Sequence, residues 1–241
     1  RAGRLLSSRS DDRTPLAPRV PAVLIGSLAP LGTDGIVSGI AKQPAPGPWR
    51  ITAHGIDGDA QGDRKHHGGP EKALHQYSRD HYAAWQAEIG PHPLLSRPGA
   101  FGENLSTLGW FETNVCIGDV VRFGPVLLQI SQGRQPCFRL NRRFGREGMA
   151  VQVQRTGRTG WYYRVLESGV VEAGTTLSIV DRPQPDWPLA RLLHVLYRDT
   201  RNREALARAA DIAELAEGWR ALFRRRLETD AIEDWHRRLN G

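Results

Sequence analysis

The sequence predicts a mainly β domain with some helix, shaped like a β-barrel, followed by a small three-helix domain. Two observations carry that expectation. From Pro21 to about Val180 the chain is a series of short β-prone runs separated by Gly, Pro and Asn, such as 22–25, 49–52, 119–123, 126–130, 162–166 and 176–180. Many short strands with turn punctuation suit a closed or nearly closed barrel better than a doubly wound parallel sheet. Beyond residue 182, Leu189, Leu192, Leu193 and Leu196 recur at helical spacing. Leu206, Ile212 and Leu215 follow, then Trp219, Leu222, Phe223 and Leu227. These periods describe three short amphipathic helices and a tail.

Residues 1–20 hold five Arg and two Asp, with only Leu5 and Leu6 where a signal peptide carries its apolar stretch, and are expected to be a disordered leader or an expression remnant. The barrel domain is expected over 21–182. Within it, one helix is predicted from about Arg79 to Ile89, with Ser78 as N-cap and Gly90 then Pro91 as terminator. A second is predicted from Gly148 to Arg155, with Gly157 beyond it. Cys116 alternates with Val115 and Ile117 in an expected strand and is assigned to the core. The segment 181–188 carries Pro183, Pro185 and Pro188 and reads as a linker, so the helical domain is expected over 183–241.

The chain has 241 residues, 39% hydrophobic and 24% charged, with a formal net charge of +7. That length and balance suit one globular core, or one plus an appendage. Residues 185–241 carry eleven Arg against ten acidic residues, which argues against a nucleic-acid-binding helical domain despite the run Arg224-Arg225-Arg226. No apolar window is long enough for a membrane span. Two cysteines cannot build a disulfide framework, so a reducing cytoplasm is the expected compartment. Neither a Gly-x-Gly-x-x-Gly nor a P-loop signature is present.

Three segments could carry chemistry. The first is Ser131-Gln-Gly-Arg-Gln-Pro-Cys137-Phe-Arg-Leu-Asn-Arg-Arg143, directly after a strand-like run. Arg134, Arg139, Arg142 and Arg143 are expected to favour the thiolate of Cys137, the form that attacks electrophiles or ligates soft metals. A small buried hydrophobe is the plain alternative for such a cysteine. The second segment runs from Gly55 to Tyr77. Asp57, Asp59 and Asp63 look like a calcium loop, but position twelve would be Gly68 instead of glutamate. A Gly68-Gly69-Pro70 turn lets backbone approach a ligand closely. His67, Lys72 and His75 could aim donors at phosphate or a heterocycle, while Asp and Gly are also ordinary turn formers. The histidines lack a partnering cysteine pair, which disfavours zinc. In the third segment, Phe101-Gly-Glu-Asn-Leu105, Glu103 could act as general acid or base. Asn104 could hydrogen-bond a cofactor ring or a loop backbone.

Taken together, these segments resemble the MOSC family, and more closely its YiiM-like branch. The carriers, in order, are His67-Gly-Gly-Pro70 through Ala73-Leu-His-Gln-Tyr77, then His81-Tyr-Ala-Ala-Trp85, Phe101 to Ser106, Ile117-Gly-Asp-Val120, Gln129 to Cys137 and Thr159-Gly-Trp-Tyr-Tyr163. The resemblance implies a β-barrel-like fold that binds molybdenum cofactor, with Cys137 ligating the metal, and reduction of N-hydroxylated compounds such as hydroxylaminopurines and amidoximes. Under that reading Cys137 and Glu103 are the catalytic candidates. His67, Gly68, Lys72, His75, Asn104, Arg134 and Cys137 are the cofactor-binding candidates. The chain has no second redox motif. Electrons are therefore expected from a separate partner, a flavoprotein reductase. Two alternatives stay open: a cofactor or sulfur carrier without turnover, and a module whose C-terminal helices dock a partner.

Overall fold

The computed structural model describes residues 17–33, 35–60 and 69–241. His67 and Gly68, like residues 1–16 of the expected leader, lie outside the described residues.

The strands are β1 (Val23–Ile25), β2 (Ala29–Pro30), β3 (Val37–Ser38), β4 (Gln43–Ala45), β5 (Trp49–Thr52), β6 (Gly55–Ile56), β7 (Leu74–Ser78), β8 (Leu105–Thr107), β9 (Val120–Phe123), β10 (Val126–Gly133), β11 (Trp161–Glu167), β12 (Gly169–Val171) and β13 (Leu177–Asp181). The helices are α1 (His81–Ile89), α2 (Arg139–Phe144), α3 (Met149–Thr156), α4 (Leu189–Tyr197), α5 (Arg203–Ala210), α6 (Glu217–Thr229) and α7 (His236–Asn240). Six strands form one curled sheet, a half-barrel, in the order β13-β9-β10-β11-β7-β8. All its neighbours are antiparallel except β7 and β8. A three-stranded sheet β12-β5-β6 and the pairs β1-β4 and β2-β3 complete the wall.

The central strand shows why the sheet forms. Val126, Leu128 and Ile130 alternate along β10 and are fully buried, as period-two patterning requires of a strand with one face on the core. At its far end a Cβ on Gly133 would lie 3.0 Å from Leu193 and 3.3 Å from Trp219, so α4 and α6 seat directly on the strand. Leu189, Leu192 and Leu196 of α4, with Phe223 of α6, join the sheet's apolar face in one hydrophobic cluster. Backbone bonds reinforce the join: Leu189 N to Val115 O at 3.0 Å and Ala216 N to Ser131 O at 2.8 Å. The helical unit thus shares its core with the barrel.

Several boundaries differ from the sequence expectation, for physical reasons. Arg19 and Val20, placed in the leader, are pinned: Arg19 bridges Thr176, and buried Val20 donates to Thr175 O at 2.9 Å. Ser78 does not cap α1, because it is drawn into the parallel pairing with Thr107, and Asp80 takes the N-cap position. Cys116 is buried as expected but forms only an isolated antiparallel bridge with Pro188 and opens a turn, its N–H donating to Asp119 Oδ2 at 2.8 Å. The helix α3 matches its expected span within a residue, and left-handed Gly148 and Gly157 bound it. The helix α2 lies in a segment read as loop. Residues beyond α6 touch the helices at Glu233 and Trp235 and then return to the barrel side at Arg238 and Leu239.

The arginine run of α6 is paired within the chain, Arg226 in the interior and Arg224 and Arg225 at the surface. Arg226, 1% exposed, donates to Glu233 at 2.7 Å and to Leu196 O at 2.9 Å. Arg224 pairs with Glu217 at 3.0 Å and Arg225 with Glu233 at 3.4 Å. No helix among the described residues is long and apolar enough to cross a membrane.

Candidate functional site

Cys137 follows β10 by a three-residue link. Continuing the β10–β11 pairing, Arg134 N donates to Gly160 O at 3.0 Å. Pro136 then turns the chain, and Cys137 O accepts from Leu140 N at 2.9 Å as α2 begins. Cys137 is 5% exposed and lines a cavity with Lys42, Lys72, His75, Asn104, Arg134, Arg139 and Tyr162. The geometry therefore gathers Cys137, Lys72, His75, Asn104 and Arg134, five of the sequence-predicted residues, around one space.

The β7–β11 register places His75 opposite Tyr162, with ring centroids 5.1 Å apart. Burial raises the Tyr162 phenol above its ordinary range, while Arg134, which hydrogen-bonds it, pulls the other way. Burial and the Arg134 charge push the His75 imidazole down to about 3. The ring is therefore neutral at physiological pH and lies against the backbone of Gly102 and Thr159. Below pH 6.5 the unfolded chain takes a proton that the folded ring refuses until about pH 3. Stability is therefore full above pH 6.5 and falls on acidification, by about 1.4 kcal/mol per pH unit well below 6.5. His75→Gln should flatten that part of the melting-temperature profile between pH 6 and 4. Identical slopes for the two proteins would refute the assignment.

The cavity floor is a buried polar network. His75 N donates to Asn104 Oδ1 at 3.0 Å, and Asn104 N returns a bond to His75 O at 2.8 Å. Asn104 Nδ2 donates to Leu24 O at 3.0 Å and Asp59 Oδ2 at 2.8 Å. Asp59 is also ion-paired to Lys42, with both side chains under a tenth exposed. Burial lowers the Lys42 ammonium from its usual range, and Asp59 opposes that shift. The Asn104 side chain thus bonds the backbone of two strands, β7 at His75 and β1 at Leu24, and Asp59 is a structural anion. The strands β2 and β3 pair antiparallel, and Ser38–Ile40, at the end of β3 and just beyond it, form one wall of the cavity. A Cβ on Gly102, at φ 78°, would lie 2.6 Å from Ile40 Cγ1, so glycine is what lets this wall close.

Glu103 is a correction. It is fully buried outside the cavity lining, and its carboxylate accepts from Tyr82 Oη at 2.8 Å, Gly99 N at 2.8 Å and Phe101 N at 3.0 Å. A carboxylate so engaged stitches the 99–103 loop and does not reach the cavity. The four-arginine picture is corrected too: Arg134 and Arg139 line the cavity, Arg142 is exposed, and Arg143 donates to Ala100 O and Gly99 O at 2.8 and 2.7 Å. Sequence reasoning missed Lys42 and Tyr162. Tyr162 had a signal, alternation along β11, whereas Lys42 had none.

Two buried nitrogens in the cavity wall, Arg134 Nη1 and His75 Nε2, have no hydrogen-bond partner among the described residues. Buried polar atoms are normally satisfied, and such atoms beside a thiol and further cations suit a ligand bearing acceptor oxygens and a soft metal.

Comparison with known proteins decides the family. Residues 63–178 match the model of the MOSC domain, and residues 187–230 match the YiiM-like, 3-alpha helix domain. The chain is 38% identical over 208 residues to Protein YiiM of Escherichia coli, covering 86% of this chain and 92% of that one. The chain belongs to the MOSC family. The crystal structure of YiiM from Escherichia coli superposes with a TM-score of 0.78 at 32% identity, covering 92% of this chain and 99% of that one. The uncharacterized protein YflK of Bacillus subtilis is 41% identical over 204 residues, 83% of this chain and 90% of its own length. A protein of Gibberella moniliformis named "Reductase" is 44% identical over 162 residues, 67% of this chain but only 29% of its own length. MOSC domains are generally associated with molybdenum cofactor.

Proposed function

We propose that this MOSC protein binds molybdenum cofactor in the Cys137 cavity and reduces N-hydroxylated compounds, hydroxylaminopurines and amidoximes among them. The observation that carries the reading is the convergence of the Cys137 thiol with two unsatisfied buried nitrogens, on Arg134 and His75, in one cavity. Cys137 would hold the metal, as a thiolate suits a soft-ligated molybdenum centre. Arg134, Arg139 and Lys72 would hold the cofactor's anionic groups, the guanidiniums through charge-assisted hydrogen bonds. Neutral His75 would present its ring without adding charge, while Asn104 and Asp59 keep the floor rigid. When bound, the cofactor supplies two-electron reduction of N–OH to N–H, with two protons taken up and water released.

The match to the fungal reductase leaves seven tenths of that longer protein outside the alignment, room for further functional units. These 241 residues hold no second redox motif, so the electron source would be a flavoprotein reductase by the chemistry required.

Molybdenum and pterin content of protein from a cofactor-competent host, followed by turnover of benzamidoxime or 6-hydroxylaminopurine with a chemical reductant, tests the proposal. Cofactor without turnover would favour a carrier; neither would refute the reading. Arg134→Ala should retain the fold and lose most of its cofactor on purification, by roughly 10- to 100-fold in affinity. Undiminished content would remove Arg134 from the binding set.

A further inference from the structure

Residues 231–241 lie beyond both matched spans, yet they reach back across the molecule to the cysteine loop. Arg238 holds that loop on both sides of Cys137. Its backbone carbonyl accepts from Phe138 N at 2.8 Å, and its guanidinium donates to the Pro136 carbonyl. The same guanidinium donates to Gln154 Oε1 of α3 at 2.6 Å and lies 5.9 Å from the Tyr197 ring centre of α4. One residue therefore ties the peptide units flanking the cysteine to a helix of each half of the protein. Its neighbours anchor it: Leu239, 7% exposed, packs in the core beneath α2 and α3, and its carbonyl accepts from Asn141 Nδ2 at 2.9 Å. Trp235 packs against both hydrophobic clusters and meets Tyr197 edge-on at 5.5 Å.

We infer that the C-terminal segment is a brace and that Arg238 is a positioning residue, setting where the Cys137 thiol stands in its cavity. Arginine suits the task because its rigid planar fork can serve two acceptors in different directions at once, which a lysine ammonium on a flexible stem does less well. The brace itself rests on geometry; only its consequence for cofactor binding depends on the function proposed above.

The test is the alkylation rate of each cysteine by iodoacetamide, followed by peptide mass spectrometry on cofactor-free full-length protein. Cys116, buried where it bridges Pro188, outside the cysteine loop, serves as the internal reference. Arg238→Ala should accelerate labelling of Cys137 by about tenfold, because local opening becomes easier where a charge-assisted bond is lost, with Cys116 unchanged. Arg238→Lys, a milder change that keeps the charge, should give an intermediate rise and secures the test if the alanine variant does not fold. Unchanged Cys137 labelling in Arg238→Lys and Arg238→Ala would overturn the brace. So would acceleration of both cysteines in parallel, which reports general destabilisation. Selective Cys137 acceleration in a protein that never acquires molybdenum would leave the brace standing and refute the functional reading alone.

Discussion

Cys137→Ser protein, expressed in a host that makes molybdenum cofactor, is expected to fold normally and to lose N-hydroxyl reduction to background. The residue is 5% exposed and the exchange of sulfur for oxygen is small, so packing survives. The chemistry does not survive, because a serine hydroxyl is a poor ligand for a soft metal and is not ionised at neutral pH. Molybdenum content measured beside activity separates the possible outcomes. Metal lost with activity places the thiolate in binding, and metal retained with activity lost places it in turnover. Full activity in the serine variant would remove Cys137 from the mechanism.

The largest effect on stability is expected at Gly160, the residue between the Arg134 backbone and the ring of His75. Its φ is 72°, a left-handed conformation that costs a non-glycine residue about 1–2 kcal/mol. A Cβ there would overlap the Gln76 carbonyl oxygen, approach His75 Nε2 to 2.7 Å and Tyr77 Cδ2 to 3.0 Å. Backbone cannot yield to a methyl group as a long side chain can. Gly160 N also donates to Glu112 Oε1 at 2.7 Å, and shifting the peptide would strand a buried carboxylate. Gly160→Ala should therefore destabilise the fold by about 3 kcal/mol or more, among the larger effects of single substitutions. Chemical denaturation measures it. Gly157→Ala provides the contrast: it is also left-handed, at φ 73°, but a Cβ meets open space, so strain alone remains. Equal losses at the two positions would show that the clash is absent.

Much of the fold was legible because local signals coincide with tertiary ones. The alternation of Val126, Leu128 and Ile130 and the leucine period of α4 each select a single buried face. The cysteine loop was legible because a proline-braced thiol among arginines is rare in composition. The helix α2 was hidden: Leu140 and Phe144 are spaced for a helix, but four intervening or flanking polar residues made the stretch read as a basic loop. Glu103 was misread because a Gly-Glu-Asn turn looks the same whether its carboxylate faces a substrate or ties its own backbone. Only the partners, Tyr82 from α1 and the amides of Gly99 and Phe101, distinguish the two. The wall carrying Ile40 and Lys42 was illegible, since contacts with Gly102 and Asp59, distant in sequence, put it there.

The hydrophobic cluster that runs unbroken from the sheet into α4, α5 and α6 bears on how the protein comes apart. Two family models divide the chain between residues 178 and 187, but the apolar contacts cross that division. Excising the helices would uncover the end of β10 where Leu193 and Trp219 sit, and excising the sheet would leave three short helices without the surface they bury. Inheritance has two modules here, whereas cooperativity has one: melting should proceed in a single transition, with sheet and helices lost together.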